Sequence, residues 1–321
     1  ARMASGTPPT ADRRAVVGVA QLCSGADTAT NLQHVRDVAR EAREQGCCFL
    51  ALPECFDFIG SSADQTLGHA QPLPPWRFSG DAGAETPSRL VAYQALARET
   101  GLWLSCGGFH EHAGDGKVFN SHILIQPSGD IASVYRKIHL FDVDVPNGPV
   151  LLESRTTNPG SEVVVLDTGT DAVGTLGVST CYDMRFPELY TLLASYGAEV
   201  LLMPSAFTVP TGRAHWATLL RARAIETQCF VLAAAQVGVH NEKRRSWGQA
   251  MIIDPWGEVL AEAPTFDDTP QEGEDAQRTP SLITATLDFE RLRAIREKMP
   301  IQRHRRADLF DIHEKSKPGS L

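Results

Sequence analysis

V-G-T-L-G-V-S-T-C-Y-D-M-R-F-P, residues 173–187, carries a strand-like run straight into a cysteine and ends on a proline. The segment 173–179 has the length and composition of a strand, and Pro187 stands where a helix can begin, because proline is tolerated in a helix's first turn. Cys181 is thereby predicted at a strand-to-helix turn. Backbone N–H groups and a positive dipole end gather at such a turn; both lower a thiol pKa and stabilise an oxyanion, so a nucleophile belongs here. The spacing Gly177-Val178-Ser179-Thr180-Cys181 is not the G-x-S-x-G elbow of serine hydrolases. The competing reading is a small buried apolar cysteine. Cys47, Cys48, Cys106 and Cys229, in apolar runs, and Cys23 and Cys55, at strand ends, take that reading.

Outward from this turn, strands and helices alternate. Upstream, a strand over 15–23 precedes Thr30-Asn31-Leu32-Gln33, a capping-box pattern that predicts a helix start. Leu32, Val35, Val38 and Ala42 follow at helical spacing, and Gly46 marks the stop. A strand over 48–52, a helix opened by Thr86-Pro87 with Leu90, Tyr93 and Leu96 on one face, and a strand over 102–106 complete β-α-β-α-β. Residues 117–137 read as a hairpin around Pro127-Ser128-Gly129-Asp130. Downstream come strands near 163–167 and 173–179, a helix near 187–196, a strand over 199–203, a helix near 214–227 and a strand over 230–236. A hairpin around Asp254-Pro255-Trp256-Gly257, a strand over 281–287 and a helix from Phe289 towards Met299 close the core. Two β/α halves with inserted hairpins predict two packed sheets with helices outside them, since apolar strands need cover on both faces. No linker divides the halves, so 15–310 is expected to be one domain. Residues 1–14 read as a disordered lead-in or a transit-peptide remnant, 264–280 as a polar acidic loop and 311–321 as a tail.

Composition narrows the class. Hydrophobic residues make up 42% of the 321 and charged residues 21%, as in a globular protein. A formal charge of −9 disfavours nucleic acid or an anionic membrane as the main partner, and no apolar run is long enough for a membrane span. Seven cysteines without a C-x-x-C pair signal neither a disulfide framework nor a structural zinc site. A reducing, cytoplasmic setting fits, with mitochondrial or plastid targeting left open. His110-Glu111-His112 is weak as a metal motif and reads as a polar turn, so no metal or other cofactor is expected.

A cysteine nucleophile needs a base. His215 is the first candidate by residue type. Glu54, ending strand 48–52 in L-P-E-C-F-D-F, and Lys137, ending strand 131–137 in Y-R-K-I-H-L-F, make a different set. An acid, a cation and a thiol at three strand ends can converge, as sites do in open α/β sheets. Spacing alone does not establish that they meet, and Glu54 and Lys137 also read as a surface acid and a solvated base.

With L-P-E-C-F-D-F, Y-R-K-I-H-L-F-D and C-Y-D-M-R-F-P-E-L in this order, the chain resembles the nitrilase superfamily of carbon–nitrogen hydrolases over roughly residues 15–310. The segments 204–216, 219–236, 240–248 and 254–257 resemble its Nit amidase branch. The resemblance implies an α/β fold built as a four-layer α-β-β-α sandwich and a catalytic triad of Glu54, Lys137 and Cys181. It also implies a second glutamate, Glu153, holding Lys137 or touching substrate, with the Tyr182 N–H in the oxyanion hole. Arg185, Phe207, Thr208, Arg213 and His215 are the candidates for substrate contact. Arg185 could instead pair with Glu188, and the basic segment 240–246 could border a substrate groove or be a solvated loop. The implied activity is hydrolysis of a small-molecule amide: deaminated glutathione, split to 2-oxoglutarate and cysteinylglycine, or 2-oxoglutaramate, by a homodimer or homotetramer. A non-catalytic scaffold keeping the fold, or a redox-sensing Cys181, are the alternatives of other classes.

Overall fold

The computed structural model describes residues 13–73, 88–144, 150–169, 173–266 and 279–315. The Thr86-Pro87 helix start, most of 264–280 and the chain ends lie outside these residues. Arg14–Leu22 is the spine of the larger sheet. Along it run Arg244–Trp247, Ala235–Asn241, the spine, Phe49–Leu52, Trp103–His112, Val118–Ile125 and Ile131–Arg136, with Ser281–Asp288 antiparallel beside the spine. The smaller sheet orders Val259–Glu262, Met251–Ile253, Phe230–Ala233, Val200–Leu202, Thr175–Val178 and Val164–Asp167.

The spine is apolar at successive positions because both of its faces are covered. Val17 and Val19, with Phe49 and Ala51, belong to one core with Leu176, Val178, Val200 and Leu202 of the smaller sheet. Ala20 and Leu22, pointing the other way, pack with Val35, Val38, Ala42, Leu90, Tyr93 and Leu96 of helices Thr28–Glu44 and Ser88–Thr100. Leu189, Tyr190 and Leu193 of helix Pro187–Ser195, and Trp216, Leu220 and Ala224 of helix Val209–Thr227, cover the smaller sheet. The result is the expected four-layer α-β-β-α sandwich, each fully buried aliphatic or aromatic side chain contributing roughly 1.5–3 kcal/mol of transfer free energy. Among the described residues no helix is long and apolar enough to cross a membrane.

Several local expectations are corrected. The first helix is capped by Asp27, whose carboxylate accepts from Ala29 N (3.0 Å) and Thr30 Oγ1 (2.7 Å), so it starts before the Thr30–Gln33 pattern. His110-Glu111-His112 is the end of strand Trp103–His112, not a turn. The helix placed near 214 begins at Val209: Pro210 suits its first turn, and Gly212 is required inside it because an added Cβ would lie 2.2 Å from Trp247 Cβ. The strand read over 230–236 is two strands, Phe230–Ala233 in the smaller sheet and Ala235–Asn241 in the larger, so the chain changes sheets at Ala234. The supposed loop 240–246 is the turn and second strand of a hairpin.

Polar pins cross the apolar seam. His122, on the larger sheet, bonds Ser105 Oγ through Nε2 (2.7 Å) and donates from Nδ1 to Ser179 O of the smaller (3.0 Å). Burial pushes the His122 pKa down to about 4. His240, bonded to Ser24 O and Ser246 Oγ at 2.8 Å each, is pushed down to about 3 by burial and then by the charge of Arg244. Both imidazoles fold neutral, while the unfolded chain takes up their protons below about pH 6.5. Stability is therefore complete above that pH and falls as pH drops through the window towards 4. At pH 5 the loss should reach roughly 2 kcal/mol per histidine. Urea unfolding at pH 7.5 and 5 measures it, and an unchanged midpoint would contradict the two buried neutral imidazoles.

Candidate active site

Three strands end at one place. Glu54 follows Phe49–Leu52 and Lys137 follows Ile131–Arg136, both of the larger sheet, whereas Cys181 follows Thr175–Val178 of the smaller. The site thus straddles the seam between two face-to-face sheets rather than the edge of one open sheet. Cys181 opens a 3₁₀ turn, Cys181–Arg185, that leads into helix Pro187–Ser195. It holds φ +50°, a left-handed conformation that costs a non-glycine residue about 1–3 kcal/mol. Asp183 holds this turn. Its Oδ2 accepts from Thr180 N (2.8 Å) and Tyr135 Oη (2.7 Å), and its Oδ1 accepts from His139 N (3.1 Å) and Nδ1 (2.8 Å). One buried carboxylate therefore registers the cysteine turn against the strand that delivers Lys137.

The side chains meet. Lys137 Nζ donates to Glu54 Oε1 (3.1 Å) and to Glu153 Oε1 and Oε2 (3.1 and 2.8 Å). Glu54 also accepts from Asn120 Nδ2 (2.9 Å) and Ala206 N (3.0 Å), and the Cys181 thiol faces it within interaction range. Glu153 lies in a 3₁₀ turn after the ribbon Asp142–Asp144/Val150–Leu152, an element absent from the sequence reading, and accepts from Phe141 N (2.7 Å). Glu54, Lys137 and Cys181 are 4%, 2% and 8% exposed, so these charges answer mainly to each other.

Burial works against the Glu54 charge, but Lys137, the Cys181 thiol and Arg244 outweigh it and hold the carboxyl below its ordinary range. Burial likewise opposes the Lys137 ammonium, and Glu153 and Glu54 overcome it, leaving its pKa well above normal. The thiol goes the other way. Burial first, then the neighbouring Glu54, push Cys181 well above an ordinary cysteine, which reverses the expectation that the turn lowers it. At neutral pH the set is carboxylate, ammonium and thiol, with the carboxylate facing the thiol.

A cleft beside the sulfur is lined by Phe141, Tyr182, Arg185, Ala206, Phe207 and Thr208. Arg185 donates to His215 Nδ1 (3.2 Å), not to Glu188, and its guanidinium lies 5.4 Å from the Phe207 ring. Arg213 lies over Trp247 (5.7 Å), and neither it nor His215 lines the cleft. His215 reaches the cleft wall through Arg185, and it is Glu54, not His215, that faces the thiol. A roomier groove of about 440 Å³ by Arg13, Glu199 and Arg293 lies elsewhere, where Arg13 pairs with Glu199 and Arg293 with Glu290. In the strand end His110-Glu111-His112, Glu111 is clamped by Ser121 (2.6 Å) and Arg136 (2.7 Å) on the face opposite both histidines. Asn120 and Asp183 are the functional neighbours that sequence reading missed. An asparagine inside V-F-N-S-H-I-L-I gives no local sign, while Asp183, two residues past the cysteine, could have been suspected as its turn's cap.

The carbon–nitrogen hydrolase family model matches residues 15–297. The chain belongs to this family. It is 43% identical over 299 residues to human deaminated glutathione amidase, covering 92% of this chain and 83% of that protein. The solved structure of the Caenorhabditis elegans NitFhit protein superposes with TM-score 0.80 at 38% identity, over 95% of this chain and 69% of that one. Saccharomyces cerevisiae Nit3, a nitrilase-superfamily member, gives TM-score 0.75 at 30% identity, over 91% and 97%. The resemblance read from the three motifs holds, and the chain is a carbon–nitrogen hydrolase of the amidase kind.

Removing the cation should be far costlier than removing the sulfur. Lys137→Met leaves the buried Glu54 carboxylate facing Glu153 without the cation between them, with an expected loss of about 3–5 kcal/mol. Cys181→Ala should cost about 1 kcal/mol or less. Denaturant unfolding of both variants checks this ordering, and a wild-type midpoint for Lys137→Met would refute the network's structural weight.

Proposed function

We propose that the chain hydrolyses deaminated glutathione to 2-oxoglutarate and cysteinylglycine through a thioester on Cys181. The observation that carries the mechanism is the buried Glu54 carboxylate bonded to Lys137 and facing the Cys181 thiol. Glu54 takes the thiol proton as sulfur attacks the amide carbonyl. The oxyanion is met by Lys137 Nζ and the N–H of Tyr182, a residue of the first turn, whose amides lack a carbonyl one turn back. As the carbon–nitrogen bond breaks, Glu54 passes the proton to the leaving amine. Water then enters, Glu54 removes its proton, hydroxide adds to the thioester, and the acid leaves as the thiol recovers its proton. Glu153 positions Lys137 between the two carboxylates. The substrate reading is supported by the likeness to deaminated glutathione amidases. Arg185, Phe207 and Thr208 beside the sulfur are suited to a large, charged leaving group.

Cys181→Ala is expected to abolish turnover, and the wild type to show a higher kcat/KM for deaminated glutathione than for 2-oxoglutaramate. Steady-state kinetics on both amides decides this. Activity surviving in Cys181→Ala would end the covalent mechanism, and a tenfold preference for 2-oxoglutaramate would make the enzyme an omega-amidase instead.

The working form is proposed to be at least a homodimer, paired through the outer helices Pro187–Ser195 and Val209–Thr227. Ile225, 43% exposed on that layer, and the neighbouring Tyr196, at 48%, give the face apolar surface. Light scattering should give a mass of at least twice the 34.9 kDa chain. A mass equal to one chain would refute the pairing.

A further inference from the structure

The hairpin Ala235–Asn241/Arg244–Trp247 is tied to both catalytic corners. Trp247 N donates to Phe207 O (2.9 Å), and Thr208 and Ser246 form an antiparallel bridge, which fixes the hairpin beside the cleft wall. Gln236 Nε2 donates to the carbonyls of Glu54 (3.1 Å) and Cys55 (3.3 Å), which fixes it to the general base's own backbone. His240 to Ser246 Oγ (2.8 Å) and Asn241 Nδ2 to Gly60 O (3.1 Å) lock its far end. Along Arg244–Trp247, alternation places Arg244 on the face of buried Ser246 and sends Arg245 and Trp247 the other way. Arg244 accordingly lies half-buried within electrostatic range of Glu54, Cys55, Glu153 and Cys181.

Its neighbours leave it no counter-ion. Lys137 already engages Glu54 and Glu153, Arg89 holds Asp57 (3.0 Å), and Arg136 holds Glu111. Cys55, beside Arg244, is a thiol pushed up to about 12 by burial and carries no charge at neutral pH. Among the described residues the Arg244 side chain has no hydrogen bond or ion pair. A guanidinium withdrawn from water with its fork unused is an expensive arrangement, and a bidentate anion is what satisfies it.

We propose that Arg244 is a specificity-determining residue that receives a carboxylate of the substrate, making the enzyme selective for amides that carry an acid group over neutral ones. This rests on the amidase reading of the Cys181 site. Two arginines then stand by the catalytic cluster: Arg185 in the cleft wall, bonded to His215, and Arg244 within electrostatic range of Glu54 and Cys181. A substrate with a carboxylate at each end and its scissile amide between them offers an anion to each arginine, whereas a neutral amide leaves Arg244 unpaired.

The test separates selectivity from chemistry. In Arg244→Gln, the ratio of kcat/KM for glutaramate or deaminated glutathione to that for butyramide should fall about tenfold to a hundredfold, mainly through KM, as expected for a lost charge-assisted bond. Arg244→Lys should recover part of it. A fall for both acids assigns Arg244 to the acyl end, and a fall for deaminated glutathione alone assigns it to the leaving group; either supports the proposal, and an unchanged ratio for both overturns it. Calorimetric titration of 2-oxoglutarate into Cys181→Ala, with and without Arg244→Gln, tests the subsite without turnover. A tenfold weaker binding, or loss of binding, supports a subsite at the acyl end. Equal binding, together with unchanged ratios or with a wild type that turns over none of the amides, overturns the proposal. A wild type inactive on every amide would by itself refute the amidase reading alone. Unchanged circular dichroism of Arg244→Gln excludes misfolding as the cause.

Discussion

The placement of Lys137 between the buried Glu54 carboxylate and the partly buried Glu153 carboxylate is the constraint on which the rest of this structure turns. Two acids and a cation withdrawn from water are tolerable when each satisfies the others, and the distances of 2.8–3.1 Å from Nζ to Glu54 and Glu153 are those of charge-assisted bonds. Asn120 reaches both carboxylates, at 2.9 and 3.4 Å, and so limits where either can swing. The same network fixes the protonation of the centre. It keeps Glu54 ionised and Cys181 a thiol, and a buried neutral thiol is guarded from idle reaction.

Holding that network requires parts from two sheets. Glu54 and Lys137 come from the larger and Cys181 from the smaller, so any sliding of one sheet over the other would open the site. The seam is accordingly pinned by polar groups as well as apolar packing: His122 between Ser105 and Ser179, and Asp183 between the cysteine turn and Tyr135. The crossing at Ala234 serves the same end. It carries the chain from the centre of the smaller sheet directly into the larger, so that Gln236 reaches the Glu54 backbone within a few residues of the core.

What a strained turn contributes here is direction. Cys181 in a left-handed conformation, with its N–H given to Pro204 O at 2.9 Å, aims sulfur at Glu54. Cys55, next to Glu54, holds a left-handed φ of +56° as well, and Gly108 is required beside it because an added Cβ would lie 2.8 Å from Cys55 N. Two corners are bent on opposite sides of one reacting space, and their strain is carried by the packed sheets behind them.

By itself the sequence determined the layers, the strand-to-helix turn at Cys181 and the three blocks holding Glu54, Lys137 and Cys181, because periodicity, turn chemistry and motif order are local properties. Helix starts were legible to within a few residues and failed where a competing cap, Asp27, or an early proline, Pro210, set the boundary. Tertiary structure alone decided that 230–236 divides between two sheets, since an apolar run looks the same in either. It decided the sign of the thiol shift, because desolvation and a facing carboxylate depend on what lies across the seam and not on the turn. It also separated the arginines: Arg185 in the cleft, Arg213 over Trp247, and Arg244 turned by strand alternation to within electrostatic range of Glu54, in a hairpin that reads, as sequence, like a basic loop. Charge composition says how many cations a chain has; the fold decides which of them find partners.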